Sequence, residues 1–142
     1  MKKTTLLLVT NTSKAKIYDI NGIKYTHIQD LEHPQSRLKT QQLITDSPGD
    51  YQTRKFIPSS DPHKQEQLHF AKVIVKFVEK MVKQKNYQKI ILCAEPYFYG
   101  LLNQSFSNTL RPLIIKVIEK DYIPLPESKL NKTIEEIIHE SV

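Results

Sequence analysis

Three groups of polar or aromatic side chains could carry chemistry, and the first lies in a long polar segment. His33, Arg37 and Lys39 could bind a phosphate or a carboxylate, because each offers N–H donors to an anion. Asp46 and Asp50 follow in the same segment. Taken singly, each of these residues fits a solvated loop charge better than a ligand contact. As a group they form the best polar candidate surface in the sequence.

The second group is Asp61, His63 and Glu66, at the start of a long helical pattern. The spacing of His63 and Glu66 places them on one helix face, where they could hold a metal ion. Acids at the start of a helix are also favoured by the helix dipole alone. No second cluster of matching residues accompanies this one, so the sequence predicts no metal site and no cofactor.

Aromatic residues form the third group, directly after an apolar strand pattern. Tyr97, Phe98 and Tyr99 follow Glu95 and Pro96. Open α/β sheets bind ligands beyond the carboxyl ends of their strands, and exposed aromatic rings can stack on bases. Phe98 fits the core, which leaves Tyr97 and Tyr99 as the candidates for exposure.

Glycine, cysteine and hydropathy exclude several classes of protein. The chain has three glycines, and no glycine-rich nucleotide-binding loop is present. No Ser-His-Asp spacing stands out. The single Cys93 excludes an internal disulfide and, within an apolar run, fits a small buried hydrophobe. The apolar run at 6–9 is too short for a signal peptide or a membrane span, so we expect a cytoplasmic protein without stable membrane insertion.

The length and the composition of the chain, with 25% charged and 39% hydrophobic residues, predict one globular domain over residues 1–142. The net charge of +6 suggests an acidic partner, which could be RNA, a ribosome or an anionic membrane surface. Along the sequence the lysines are scattered rather than massed, so charge alone does not choose among these partners.

The elements that must position these groups follow the order of strands and helices that is typical of an α/β fold. Residues 4–9, 14–20 and 23–31 predict three antiparallel strands, with a hairpin at Asn21 and Gly22. Residues 90–94, 97–106 and 113–118 predict a strand, a helix and a strand. The fold class is therefore α/β, with a mixed sheet that begins with antiparallel hairpins.

One long and two shorter helices are expected to flank this sheet. Asp61 and Pro62 open the long helix, whose apolar stripe extends from Leu68 to Val82 and includes Val73, with lysines facing outward. Residues 32–60 predict a long loop that is either functional or a surface excursion. In the helical tail, at 124–142, Thr133 and Glu136 form a capping-box pattern.

Five motifs occur in a fixed order along the chain. They are LEHPQSRLK at 31–39, DSPG at 46–49, Asp61-Pro62 with Glu66, Phe70 and Ala71, AEP at 94–96 with Phe98, Gly100, Leu101 and Leu102, and Lys120-Asp121. Together they resemble the bacterial host-attachment family, named "protein required for attachment to host cells". The resemblance covers about 6–125.

The resemblance implies a fold related to the central domain of eukaryotic and archaeal peptide release factors. Peptide release itself is not expected, because it needs a Gly-Gly-Gln tip and this chain has no Gly-Gly pair. The family positions that match are His33, Pro34, Ser36, Arg37, Lys39, Asp46, Pro48, Gly49, Asp61, Pro62, Glu66 and Asp121.

We therefore expect a non-catalytic binding protein that associates with a ribosome or RNA and could form homo-oligomers. A surface-acting or secreted attachment protein is one alternative. A metal-dependent hydrolase acting on RNA, with a metal held by Asp61, Glu66 and Asp121, is another. We further expect Arg37 to pair with Asp61 or Glu66, so that the long loop meets the helix start. The candidate ligand-binding residues are His33, Ser36, Arg37, Lys39, Asp46, Asp61, His63, Glu66, Glu95, Tyr97, Lys120 and Asp121.

Overall fold

A five-stranded mixed sheet forms the centre of the structure, a computed structural model that describes residues 4–33 and 62–141. The strand order is β3-β2-β1-β4-β5. Strand β2 is antiparallel to β1 and β3, whereas β4 is parallel to β1 and β5 is parallel to β4. The strands are β1 Thr5–Thr10, β2 Lys14–Asn21, β3 Lys24–Glu32, β4 Lys89–Ala94 and β5 Ile114–Ile118.

The two central strands, β1 and β4, are buried on both faces, as their continuous apolar runs predict. Leu6 and Leu8 contact one layer of helices, and Leu7 and Val9 face the other. The hairpin between β2 and β3 turns at Gly22, whose φ of 68° is favoured by glycine. The predicted antiparallel start of the chain is therefore confirmed.

Helices cover both faces of this sheet. Helices α1 and α2 pack on one face, where Phe70 and Phe98 are buried, and α3 packs on the other through Leu130 and Ile134. Lys116 on β5 and Glu140 on α3 form an ion pair at 2.9 Å. The predicted α/β class, with one long and two shorter helices in the described residues, is confirmed. The helices are α1 Pro62–Lys85, α2 Pro96–Ser105 and α3 Glu127–Ser141.

Two local predictions are wrong. Thr133 does not cap α3, because the helix begins at Glu127, after Pro126, and the Thr133 hydroxyl donates to the Lys129 carbonyl one turn earlier at 2.9 Å. Val73 does not widen the buried stripe of α1, because it lies toward the solvent side of the helix and is 39% exposed.

Cys93 lies on β4 and is fully buried. Burial raises the pKa of its thiol to about 12, although the nearby Lys116 charge opposes the rise. The thiol is therefore protonated at neutral pH, which agrees with a packing role. Within 4–33 and 62–141, no helix is both long and apolar enough to cross a bilayer.

Candidate functional site

One edge of the sheet gathers the described candidate residues. Strands β1, β4 and β5 are parallel, and β3 runs in the same direction because two antiparallel pairings separate it from β1. Their carboxyl ends therefore share one edge, where α2 also begins and His33 meets α1. We call this the polar edge and define it by Asn11, His33, Glu66, Glu95 and Asp121.

His33 joins the end of β3 to α1. Its side chain is 5% exposed, and its Nε2 atom lies 2.9 Å from the backbone oxygen of Glu66. Because a carbonyl only accepts hydrogen bonds, this nitrogen must carry the proton. The ring also packs edge-on against Phe70, with centroids 5.1 Å apart, and the His33 backbone N–H donates to Ser13 at 2.9 Å. Its position immediately after β3 makes His33 a tether between β3, the β1–β2 turn and α1.

Glu95 caps α2 at the end of β4. Its two carboxylate oxygens accept the backbone N–H groups of Tyr97 at 3.1 Å and Phe98 at 2.9 Å. A carboxylate is stabilised there because the first N–H groups of a helix lack internal partners and carry partial positive charge. Pro96 occupies the first helical turn, where its missing N–H costs nothing. Glu95 thus sets the direction in which α2 leaves the sheet.

At the polar edge, Asn11 and Asp121 connect the end of β1 to the segment that follows β5. The Asn11 amide nitrogen lies 3.2 Å from both carboxylate oxygens of Asp121. Asn11 also uses its amide oxygen to accept the N–H groups of Ser13 and Lys14, and Asp121 accepts the N–H of Ile123. Each side chain therefore holds its own turn and also connects the two turns.

Several side chains at this edge are exposed, and the Asp121 carboxylate is one of them. Tyr97, at the start of α2, is 47% exposed, and Lys120 is exposed after β5. Phe98 is fully buried, as predicted, and Tyr99 is partly buried against the core. An aromatic ring and an ammonium group are thus both exposed at the ends of two adjacent strands, with the Asp121 carboxylate next to the ammonium group in sequence.

Comparison with known proteins identifies the relatives of this chain. Residues 6–134 match the family described as "Protein required for attachment to host cells". The chain belongs to this host-attachment family. It is also 29% identical, over 129 residues, to an uncharacterized protein of Rickettsia prowazekii (strain Madrid E), with 83% of each chain covered.

The fold of this host-attachment protein resembles that of larger solved structures. An archaeal translation termination factor aligns with a TM-score of 0.52 and 10% identity over 97% of this chain and 37% of the factor. The Saccharomyces cerevisiae protein Dom34, described as a translation termination-like factor, aligns with a TM-score of 0.49 and 15% identity over 96% of this chain and 38% of Dom34. The chain thus spans just over a third of these proteins.

Only part of the predicted site of this family member lies in the described residues. His33, Glu66, Glu95, Tyr97, Lys120 and Asp121 are described, and contacts connect His33 with Glu66. The predicted pairing of Arg37 with Asp61 or Glu66 involves residues outside the described ranges. His63 belongs to α1, but its side chain is not described. The other predicted positions outside the described ranges are Ser36, Lys39, Asp46 and Asp61.

Sequence reasoning treated Asn11 as a turn residue and missed its contact with Asp121. Its position directly after a buried strand, followed by Thr12 and Ser13, is typical of an Asx turn. That signal predicts the local hydrogen bonds but not a partner 110 residues away. In the described part of the chain, no group of three or more His, Cys, Asp or Glu side chains is placed to hold a metal ion.

A separate cavity of about 140 Å³ lies at the opposite edge of the sheet. Thr5, Lys89 and Ile115 line it together with Ser141, whose hydroxyl is buried without a hydrogen-bond partner among the described residues. None of the predicted site residues lines this cavity. The candidate site is therefore the surface of the polar edge and not this concave feature.

Proposed function

We propose that this host-attachment-family protein is a non-catalytic binding protein of the cytoplasm that associates with RNA on the ribosome. The observation that carries the proposal is the exposure of Tyr97 and Lys120 at the ends of two adjacent strands, on a chain of net charge +6. Single-stranded RNA is bound by this combination, in which an aromatic ring stacks on a base and ammonium groups neutralise phosphates.

The hydrogen bonds of the polar edge support binding over catalysis. Glu95 caps a helix, Asn11 and Asp121 hold turns, and His33 tethers α1. These side chains use their polar atoms to fix backbone segments. In our proposal they form a rigid frame that presents Tyr97 and Lys120, and the binding energy comes from the exposed groups.

The likeness to the archaeal translation termination factor agrees with a role in translation. At 10% identity that likeness concerns the fold alone, and the chain corresponds to 37% of the factor. The activity of the whole factor is therefore not carried over, and a role in translation is part of our proposal that the sedimentation experiment tests. The absence of a Gly-Gly pair in the sequence also argues against a peptide-release role.

A Tyr97→Ala variant tests the stacking contact. We expect this change to weaken binding of a fluorescein-labelled single-stranded RNA by about 1–3 kcal/mol, measured by fluorescence anisotropy. Tyr97→Phe serves as the matched control, because it keeps the ring and removes only the hydroxyl. Unchanged affinity of Tyr97→Ala would contradict the proposed contact.

The family description favours a second candidate, a protein that acts at the cell surface in attachment to host cells. A cytoplasmic protein whose loss impairs attachment indirectly would also fit that description. Protease treatment of intact cells separates the two. Digestion of the protein while a cytoplasmic marker stays intact would favour the surface role, and protection of both would favour the proposal made here.

A further inference from the structure

The solvent side of α1 carries a row of lysines that the polar edge does not use. We call Lys72, Lys76, Lys80 and Lys83 the lysine face; all four side chains are exposed. At about 100° per residue they fall within an arc of about 80°. His69 is exposed within the same arc. The opposite side of the helix is buried against the sheet through Phe70, Ala71, Ile74, Val75 and Val78.

Few carboxylates balance this face. Among the described residues, none of the four lysines lies within 4 Å of a carboxylate oxygen. Glu79 is the acid nearest in sequence, and it is half-buried at the border of the arc. Lys72 with Lys76, and Lys76 with Lys80, are like charges four residues apart, which destabilise a helix. A polyanion that neutralised the row would remove this repulsion.

The helix dipole accounts for only part of the row. Lys83, with Lys85, lies in the last turn, where positive charge is favoured by the carbonyl end of the helix. That effect falls off within one turn, and Lys72 and Lys76 lie in the middle of a 24-residue helix. The dipole therefore does not account for Lys72 and Lys76, which lie on the solvent face of an amphipathic helix.

The spacing of the lysines fits one strand of nucleic acid. Four residues of α-helix rise by about 6 Å, so Lys72, Lys76 and Lys80 repeat at a distance close to that between neighbouring phosphates of one strand, and Lys83 follows after about 4.5 Å. From Lys72 to Lys83 the row extends about 16 Å along the helix. Long, flexible lysine side chains adapt to phosphates as point charges without reading the base sequence.

We propose that the lysine face binds the phosphate backbone of a single RNA strand, independently of base sequence. This inference rests on the proposed RNA association and assigns its main electrostatic surface to α1. The α1 helix meets His33 near its start, so the row extends away from the polar edge along the helix. A strand that stacks on Tyr97 and a strand that follows α1 are separate contacts with separate tests.

The test compares two triple variants in the full chain. Lys72→Gln, Lys76→Gln and Lys80→Gln remove three charges from the lysine face while keeping good helix formers. Lys24→Gln, Lys129→Gln and Lys132→Gln remove three exposed charges elsewhere and form the matched control. Both proteins carry the same net charge, so a difference between them reports position. Circular dichroism melts check that both variants fold.

Binding is measured by anisotropy with labelled poly-uridine and poly-adenosine RNA over a series of salt concentrations. Three lost phosphate contacts reduce the slope of log K against log salt by about 2, and the affinity at about 0.1 M salt by about a hundredfold. We expect this loss for the lysine-face variant on both RNAs and a much smaller loss for the control variant.

Two results would overturn the inference and are distinguishable. Equal losses in the two variants, with RNA binding by the unchanged protein, would reject the lysine face and leave the proposed function standing. No RNA binding by the unchanged protein at any salt concentration would reject the proposed function and the inference with it. Binding of anionic phospholipid vesicles in place of RNA would also reject both.

Discussion

His33 shows how one residue can hold three segments that are distant in sequence. It follows β3, its Nε2 donates to the Glu66 carbonyl, and its ring packs on Phe70. Its backbone N–H donates to Ser13 in the β1–β2 turn. A buried ring with this many contacts contributes to stability both by packing and by satisfying a backbone acceptor.

We expect His33→Ala to lower the free energy of unfolding by about 2–3 kcal/mol, because it leaves a cavity beside Phe70 and removes the donor to Glu66. The measurement is urea denaturation followed by circular dichroism. His139→Ala, at an exposed position on α3, is the control and should change stability by about 0.5 kcal/mol or less. Equal effects of the two changes would contradict the tether.

Two buried tyrosines give the protein a defined response to alkaline pH. Burial raises the pKa of Tyr18 to about 12, with a smaller contribution from the Asp30 charge. Burial also raises the pKa of Tyr87 to about 12, and the neighbouring Asp19 carboxylate adds to the rise. The Tyr87 hydroxyl and one Asp19 oxygen are buried without a hydrogen bond of standard geometry in the described ranges, so charge on this tyrosine would be poorly tolerated.

Because both folded pKa values lie above the unfolded value of 10.0, the unfolded chain loses these protons first as pH rises. The contribution of these two tyrosines to stability is thus complete below about pH 10 and is lost between about pH 10 and pH 12. We expect Tyr87→Phe to reduce the loss between about pH 8 and about pH 11 by about 1 kcal/mol. Urea denaturation at the two pH values measures this, and an identical loss in both proteins would refute it.

At the scale of elements, the start of α2 depends on Glu95. We expect Glu95→Ala to lower the free energy of unfolding by about 1 kcal/mol, because the Tyr97 and Phe98 N–H groups lose their acceptor. Thermal and urea denaturation provide the measurement. Glu119→Ala removes an exposed acid of the same type and serves as the control. A loss no larger than that of the control would show that the cap is unimportant.

The strands and the long helix could be predicted from sequence because their signals are local. The apolar run of β4 and the periodic stripe of α1 persist over many residues, and each is buried as the pattern indicates. The start of α3 was missed because Thr133 and Glu136 imitate a cap within a helix that already begins at Glu127. A capping pattern does not show whether the backbone before it is helical.

The polar edge could be predicted only in part. Motif positions pointed to His33, Glu66 and Glu95, but their roles depend on contacts between distant segments. The Asn11–Asp121 contact is made by the parallel pairing of β1 with β4 and of β4 with β5, which no local pattern encodes. The strand order of the sheet brings these residues together, and their spacing along the sequence does not predict it.

At the scale of the whole molecule, folding concentrates charge that looks dispersed in the sequence. Lys72, Lys76, Lys80 and Lys83 are three or four residues apart along the chain, yet α1 places all four on one solvent face. The polar edge lies at the carboxyl ends of the strands and carries Tyr97 and Lys120. We propose that the polar edge stacks on bases and that the lysine face binds phosphates.

The most direct test of RNA association on the ribosome is sedimentation of native cell extract through sucrose gradients at low and high salt. We expect the protein to migrate with ribosomes at low salt and to move to the top of the gradient at high salt, because phosphate contacts weaken as salt rises. A position at the top of the gradient under both conditions would contradict it.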